Sequence, residues 1–497
     1  MKAGIVLGVA MLLAGSTTGG AQQYLIRLDA RAQTATYRGV LLDSIPVAQV
    51  VPGPGGGPGT PDGFAAYCAP GAQYCSFYRA GPKLNGGPWT TTADVTAWGL
   101  GVPGLSLHAN ARLGVDLGTS KVWPGTDPAL QLFEAYAEYA DPRLTGRLGR
   151  QIERGRLGYT GFDGGRLTWR IGRLGLAATG YVGLGLARAI ALPVTSDVLH
   201  PLDDFQPSRR QIVAGGTLEW AAPGSKADVR VEYQRQVDRE TKFFVSERAA
   251  VSATLRPLEG WSLSGGTEYD FDYGWWGTSE LSLNHTRRWG GGSVGIRRYR
   301  PYFDLWTIWG AFSPVPYRAL NGSFWVAPIR RLRLRGAIET YKFDASDALA
   351  PLVQTEAEGA RWSAGATIDF TDALSLDGGY RHEFGSGAAS QGFDGSLSFT
   401  PIASLILVAE GGHQVRPLEF RINNPALTWY GLSADLRATE RLRIGVGAIR
   451  YDENRRRPDA SGIDWSQTRF RATLSWLFGS NADRQILPPA VKREGRR

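Results

Sequence analysis

The sequence has few cysteines, few charged residues and no long apolar segment after its first twenty or so positions. Of its 497 residues only 2 are Cys, and 20% are charged. No run of about 18 apolar residues occurs beyond residue 22, so no transmembrane helix is expected. Gly-x-Ser-x-Gly elbows, phosphate loops and dinucleotide fingerprints are also missing from any strand-then-helix context. We therefore expect a protein that is not an enzyme.

Histidines and basic residues are scattered. The spacing of the five histidines has no H-x-x-H or H-E-x-x-H pattern, which predicts no metal site and no cofactor; they are His108, His200, His285, His382 and His413. Ser282 and Asn284 lie close to His285, but alternation along a strand would send this histidine to the opposite face. The formal net charge of +9 is spread along the chain, so no nucleic-acid partner is expected.

The dominant positive signal is a long alternation of apolar and polar residues. In 105–117 every odd residue is apolar and most even residues are polar, which a helix cannot accommodate. The same pattern recurs along the chain, for example around residues 24–33, 227–234, 331–343, 441–451 and 467–478. We count roughly 20 such segments, mostly joined by short turns, which predicts roughly 18–22 strands.

The length of these segments distinguishes a membrane barrel from a soluble sandwich. About eleven residues at about 3.3 Å each, tilted near 45°, span on the order of 25 Å, the height of the apolar band of an outer-membrane barrel. Hydrocarbon offers no hydrogen-bond partners, so such a sheet must close on itself. The predicted fold class is an all-β, transmembrane antiparallel β-barrel with its apolar face toward lipid and its polar face toward the lumen.

The ends of the chain differ from the barrel. Lys2, the apolar segment 4–14 and the small residues before Gln22 predict a signal peptide over 1–21. The barrel is expected over 22–478, in the outer membrane of a bacterial cell, where lipid and lipopolysaccharide surround it. The basic residues of 479–497 predict a flexible periplasmic tail.

One long interval, 34–90, is rich in Gly and Pro and is expected to be a loop or a plug of the lumen. It contains Cys68 and Cys75, which in an exported chain are expected to form a local disulfide. A metal site is the weaker alternative, because no histidine is near. Other long polar intervals lie at 191–209, 344–360 and 452–466.

The last strand, 467–478, is similar to the terminal signal read by the outer-membrane barrel assembly machinery, which would then be a partner during insertion. Phe478, an aromatic residue, ends this strand, but 19 residues follow it. Closure would place the last strand beside the first, so Arg469 and Arg471 are expected near Arg27 and Arg31.

The stretch 130–170 resembles the alginate-export type of outer-membrane porin-like barrels. The positions that carry the resemblance are Gly149-Arg150-Gln151, Arg156, Phe162-Asp163-Gly164 and Arg166. Strict alternation would put Arg150 on the lipid face, which indicates a position near the rim or beside a bulge. The resemblance implies a basic lumen that passes an acidic polysaccharide or another anionic solute.

Arginines on the polar faces are the candidate selectivity residues: Arg27, Arg112, Arg147, Arg166, Arg170, Arg230, Arg331, Arg333, Arg335, Arg441, Arg443, Arg469 and Arg471. Basic groups in a lumen with low-dielectric walls attract anions. Alternatively, these arginines pair with carboxylates and stiffen the wall; the candidate partners are Glu134, Glu138, Glu232, Glu268, Glu339 and Asp435.

The expected function is an outer-membrane porin or exporter channel for polar, anionic solutes. The alternative is a structural or receptor-like barrel whose lumen is blocked by 34–90.

Overall fold

The computed structural model describes residues 23–53, 57–118, 130–186, 211–239, 244–300, 316–344, 358–385, 390–415, 426–454 and 465–480. The predicted signal peptide, 1–21, and nearly all of the predicted tail lie outside these residues. Within the described ranges the chain is almost entirely β-structure, with three single-turn 3-10 helices at Val47–Gln49, Gly172–Leu174 and Pro223–Ser225. No helix of the described ranges has the length and apolar character needed to cross a membrane.

The strands in chain order are β1 (Gln23–Gln33), β2 (Ala35–Pro46), β3 (Val51–Pro52), β4 (Pro58–Gly59), β5 (Ala66–Tyr67), β6 (Tyr74–Gly86), β7 (Pro88–Trp98), β8 (Leu105–Asp116), β9 (Leu130–Ala140), β10 (Leu144–Gly155), β11 (Gly158–Ile171), β12 (Leu176–Gly185), β13 (Ile212–Ala221), β14 (Ala227–Val237), β15 (Phe244–Leu255), β16 (Trp261–Asp270), β17 (Trp275–Arg287), β18 (Gly290–Tyr299), β19 (Tyr317–Ile329), β20 (Leu332–Phe343), β21 (Glu358–Asp369), β22 (Leu374–Gly385), β23 (Gln391–Ile402), β24 (Leu405–Val415), β25 (Ala426–Arg437), β26 (Leu442–Asn454) and β27 (Trp465–Gly479).

Twenty-two of these strands, β1 and β7 to β27, form one closed antiparallel sheet. Strands β7 to β27 pair consecutively, and β1 pairs with β7 on one side and with β27 on the other. The ring therefore leaves no free edge among its strands, which is the arrangement that a sheet in hydrocarbon requires. The predicted fold class is confirmed, with a strand number at the upper end of the expected range.

Alternation along each strand decides which face points outward. In β14, Val231 is 40% exposed whereas its neighbour Glu232 is only 6% exposed. Leu148, Leu167 and Val182 are exposed on other strands. The larger apolar side chains thus cover the outside of the barrel, and polar side chains fill its inner face.

The two rims differ. The start of β1 lies beside the end of β27, with Leu25 opposite Gly479, and we call this end of the barrel the terminal rim. Every connection at the terminal rim is a short turn, from the two residues between β17 and β18 to the six between β7 and β8. The longer connections lie at the other end, the loop rim, and include the intervals near 191–209, 344–360 and 452–466, most of which fall outside the described residues.

Much of the interval 34–90 is sheet rather than loop. Strand β2 continues β1, β6 leads into β7, and the two pair with each other along their length, so they lengthen the first hairpin beyond the barrel. Strand β2 also packs against β27. The Gly and Pro residues that suggested a loop are concentrated between these strands, whereas the strands themselves contain many β-branched and aromatic residues, which favour sheet.

The tip of this extension has a small core of its own. Cys68 and Cys75 are joined by a disulfide. Cys75 is fully buried and packs with Ile45 and Ala66, and Phe77 lies against the same cluster. With both sulfurs in the disulfide, the pair has no thiolate to offer a metal.

The register between the first and last strands corrects one expectation. Arg471 lies opposite Gln33 and diagonal to Arg31, but Arg27 lies opposite Leu477, far along the strand from Arg471. The prediction that all four arginines converge is therefore wrong: Arg27 is distant from Arg471, and Arg469 lies beyond the residues of β27 that pair with β1, so only Arg31 and Arg471 are neighbours. The sequence predicts that the two strands meet, but the register of their pairing depends on closure of the whole barrel.

Candidate lumenal site

The most unusual feature of the barrel is the hairpin formed by β10 and β11. Its strands pair from Leu144 and Trp169 to Gly155 and Gly158, and Arg156 and Leu157 form its turn. The tip of this hairpin, residues 150–162, contacts the inner faces of β12 to β17, and we call it the inner hairpin.

Arg156, at the tip of the inner hairpin, contacts residues of β16 and β17. Its Nη1 donates to Oε1 of Glu280 at 2.8 Å, and its Nη2 donates to the carbonyl oxygens of Gly266 and Thr278, both at 3.1 Å. Its Nε lies 3.6 Å from Oε1 of Glu268. Glu280 belongs to β17, six strands from β11 around the ring. A contact across that distance between inward-facing groups can only be made through the lumen.

Glu232 of β14 holds the base of this turn. Its carboxylate accepts hydrogen bonds from the backbone N–H of Arg156 at 3.1 Å and from Nε of Arg230 at 2.6 Å. Nη2 of Arg248, from β15, donates to the carbonyl oxygen of Leu157 at 3.1 Å. Glu232 and Arg248 are both buried. Two charged side chains of the wall, Glu232 and Arg248, thus satisfy backbone groups of the turn that would otherwise lack hydrogen-bond partners.

Closer to its base, the inner hairpin packs against β12, β13 and β14 through both polar and apolar side chains. Nε2 of Gln234 donates to Oγ1 of Thr160 at 2.7 Å and to the hydroxyl of Tyr181 at 3.2 Å. Phe162, fully buried, stacks on Tyr181 with ring centroids 5.3 Å apart and packs against Val213. This apolar cluster is on the lumenal side, where the alternation pattern alone predicts polar residues.

Two glycines permit this arrangement. Gly149 has φ +132°, a conformation that L side chains rarely adopt, and a Cβ there would collide with the carbonyl oxygen of Ala135. Gly266 lies beneath Arg156, and a Cβ at this position would come within 2.7 Å of its Nη1. The first glycine allows the hairpin to bend, and the second leaves room for the arginine.

The positions that carry the family resemblance all lie in or beside the inner hairpin. Arg150 does not face lipid as a free side chain: its Nε and Nη2 pair with the two oxygens of Asp163 at 2.8 and 3.0 Å, and its Nη1 donates to the carbonyl oxygen of Leu132 at 3.1 Å. Arg166 pairs with Glu153 at 2.9 Å. These cross-strand pairs hold the two strands of the hairpin together at its bend.

The thirteen candidate arginines divide by the partners they contact. Seven contact carboxylates: Arg27 with Asp29, Arg147 with Glu138, Arg166 with Glu153, Arg230 with Glu219 and Glu232, Arg335 with Asp377, Arg443 with Asp435, and Arg471 with Glu410. Five contact neutral groups: Arg112 with Gln131 and the Phe133 ring, Arg170 with Thr145, Arg331 with the carbonyl of Phe370, Arg333 with the Trp325 ring, and Arg469 with Gln467 and the Tyr451 ring. Arg441 also has a partner.

The remaining acidic candidates serve other partners. Glu268 lies near Arg156, Glu339 pairs with Arg297 and Arg361, and Glu134 lies 3.7 Å from Nε2 of His108. The sequence predicts only that carboxylates such as Glu232 and Glu268 pair with arginines of the barrel wall. It does not reveal that these two residues, together with Glu280, hold the inner hairpin. The only available signal was Arg156, which lies in a turn within the resembling stretch.

The histidines remain dispersed. Ser282 and Asn284 share a face, with Nδ2 of Asn284 3.4 Å from Oγ of Ser282, while His285 stacks on Trp261 with centroids 4.2 Å apart. His200 lies outside the described residues. Within the part of the chain that is described, no group of three or more His, Cys, Asp or Glu residues could hold a metal ion.

No family model matches this sequence, and no curated protein matches it. Among solved structures, the siderophore receptor PirA from Pseudomonas aeruginosa aligns with 93% of this chain and 81% of its own, with a TM-score of 0.39 and 12% identity. A BenF-like porin from Pseudomonas fluorescens Pf-5 aligns with 92% of this chain and 99% of its own (TM-score 0.38, 10% identity). The outer membrane protein opdK from Pseudomonas aeruginosa aligns over the same shares (TM-score 0.36, 9% identity).

Proposed function

We propose that this chain is a bacterial outer-membrane channel that passes polar, anionic solutes through a lumen narrowed by the inner hairpin. The observation that carries the proposal is the docking of Arg156 on the inner faces of β16 and β17. A hairpin that bends into a closed barrel and is fixed there by buried charged groups narrows the passage without needing a separate plug domain.

The outside of the barrel supports a membrane location. Exposed leucine, isoleucine, valine and aromatic side chains recur on strand after strand. A soluble protein rarely exposes so large an apolar surface. In outer-membrane barrels the short turns face the periplasm and the long loops face outward, so the terminal rim is the periplasmic end and the loop rim is the external end.

The contacts of the inner hairpin are confined to one side of the barrel among the described residues. The hairpin lies against β12 to β17, so the inner faces of β19 to β27 and of β1 border the space that it leaves. Arg333 and Arg469 are on this uncovered wall, and their contacts within the described ranges are with neutral groups. A guanidinium that no carboxylate neutralises contributes positive potential to the lumen, which favours anions.

Conductance in planar bilayers tests the channel. We expect the purified protein to give discrete current steps. Its reversal potential across a KCl gradient should indicate a preference for anions. Replacing Arg333 and Arg469 with Gln should move the reversal potential toward cations. The matched control, Arg443→Gln with Asp435→Asn, removes an ion pair with no net charge and should leave it in place. A folded protein without current steps would refute the channel, and an unchanged reversal potential in the first variant would refute the arginine-based selectivity.

The resemblance of 130–170 to alginate-export barrels suggests a more specific class of solute, an acidic polysaccharide. An acidic polysaccharide would present carboxylates to the arginine wall one sugar at a time. Oligouronates added to the bilayer chamber should then block the current transiently, and neutral oligosaccharides of the same length should not. Equal blocking by both would refute the acidic polysaccharide as the solute, but it would not refute the channel.

The receptor-like alternative requires residues 34–90 to close the lumen. The described part of this interval instead lengthens the hairpin of β1 and β7 and packs along β27. Replacing 48–72 with a short Gly-Ser turn should therefore leave conductance nearly unchanged. A large rise in conductance would favour the receptor-like alternative.

A further inference from the structure

A row of charged residues crosses the outer wall of the barrel near the loop rim. Arg298 of β18 lies directly opposite Arg318 of β19, which lies opposite Lys342 of β20, and that lysine lies opposite Glu358 of β21. Ile296 and Leu320, two residues from the arginines on the same faces, are exposed on the outside. The row therefore faces outward, at the edge of the apolar band.

Three cations side by side in a sheet repel one another. Directly opposite residues have Cβ atoms about 4.5–5.5 Å apart, and like charges at this distance are destabilising. Asp344 offsets part of the repulsion, at 3.5 Å from Nη2 of Arg298 and 3.6 Å from Nε of Arg318, and Glu358 lies 2.6 Å from Nζ of Lys342. The three cations face only these two carboxylates among the described residues, so positive charge remains in excess. The side chain of Arg318 is 72% exposed.

An apolar groove adjoins the row. Its volume is about 1130 Å³, and its lining includes all three cations together with Leu281, Ile296, Leu320 and Phe384. Such a groove on the outside of a barrel accommodates hydrocarbon chains, and cations at its upper edge accommodate an anionic head group. The two features together match one kind of molecule, an anionic lipid.

We infer that this surface, consisting of Arg298, Arg318, Lys342 and the groove below them, binds a phosphorylated glycolipid of the outer leaflet. The inference rests on the proposed function, because it requires the loop rim to be the external end of an outer-membrane barrel. A head group with more than one phosphate suits three adjacent cations, since each phosphate can accept charge-assisted hydrogen bonds from two of them. A zwitterionic head group brings its own cation and would leave the repulsion in place.

The test compares lipids that differ only in phosphate. The detergent-solubilised full chain is titrated with bisphosphorylated lipid A and with the same lipid after dephosphorylation, and binding is followed by native mass spectrometry. The test variant is Arg298→Gln, Arg318→Gln and Lys342→Gln together. The matched control, Arg173→Gln, Lys226→Gln and Arg288→Gln, removes three exposed cations at the terminal rim.

We expect the unaltered chain to prefer the phosphorylated lipid, and the test variant to bind it on the order of 100-fold more weakly at low salt, given the usual contribution of each basic residue near an anionic surface. The control variant should bind like the unaltered chain. Equal binding of both lipids by the unaltered chain, or equal loss in both variants, overturns the inference. A heat-modifiability gel verifies that each variant is folded.

Conductance of the same preparations separates this inference from the proposed function. Current steps without lipid preference overturn only the lipid site. Lipid preference without current steps refutes only the channel.

Discussion

The carboxylate of Glu232, on the inner face of β14, accepts a hydrogen bond of 3.1 Å from the backbone N–H of Arg156, at the tip of the inner hairpin. The same carboxylate binds Arg230, which also pairs with Glu219 at 2.7 Å. Glu232 is thus the point where the hairpin turn is joined to the charged network of the wall. Glu219 belongs to that network but does not contact the turn.

Replacing Glu232 with Ala should loosen the inner hairpin. Its loss leaves the backbone N–H of Arg156 without this acceptor, at about 1–3 kcal/mol for a buried group left unsatisfied, while Arg230 keeps its contact with Glu219. We expect larger and noisier single-channel currents and faster tryptic cleavage after Arg156. Glu219→Ala removes a partner of the same arginine and should change neither. Identical currents for both variants would mean that Glu232 does not hold the hairpin.

Gly149→Ala should disturb the bend of the inner hairpin. The positive φ of this residue costs a side chain about 1–3 kcal/mol, and the added Cβ would also meet the carbonyl of Ala135. We expect reduced yield of folded barrel or increased conductance, measured by heat-modifiability gels and planar bilayers. Gly180→Ala, where no atom lies within 4 Å of the added Cβ, is the matched control. If both variants behave like the unaltered chain, the bend does not depend on glycine.

The facing of the strands can be tested on two adjacent residues of β18. Val294 is 61% exposed on the outside, and Ser293 shares a hydrogen bond of 2.7 Å with Ser323 on the inner face. Val294→Arg should impair assembly, since an arginine facing the middle of the bilayer costs about 2–4 kcal/mol. Ser293→Arg should assemble normally. The fraction of folded protein in a heat-modifiability gel measures both, and equal fractions would contradict the assignment of faces.

The extension formed by β2 and β6 should respond to acid. A hydrogen bond from the backbone N–H of Ser44, and after it one from Arg79, hold the pKa of Asp43 below its usual value. A lowered pKa in the folded state means that Asp43 stabilises the extension above the ordinary carboxyl pKa and that this stabilisation is lost as the pH falls through the lowered value.

Amide exchange of β2 and β6 should therefore accelerate as the pH falls below the ordinary carboxyl pKa of about 4. Asp43→Asn should exchange faster at neutral pH and lose that dependence. A variant with the same pH profile as the unaltered chain would show that another group titrates.

The sequence by itself determined the class of fold and the position of many strands. The alternation in 105–117 predicts β8, observed at Leu105–Asp116, and the last segment, 467–478, lies within β27. Alternation of this length arises only when one face meets apolar surroundings and the other does not, so local sequence is sufficient to reveal it. The pairing of β1 with β27 likewise follows from closure.

Only the tertiary structure decided what lies inside the barrel. The alternation of β10 and β11 is compatible with a straight hairpin at the rim and with one bent inward, because the pattern records two faces and not what each face meets. Gly149, with its positive φ, lies where the hairpin bends, and the turn contacts Glu232, which follows Arg156 by 76 positions in the chain. Register, too, is a property of the closed ring, and it separates Arg27 from Arg471. Contacts between residues so distant in sequence depend on the arrangement of several strands, so no local pattern contains them.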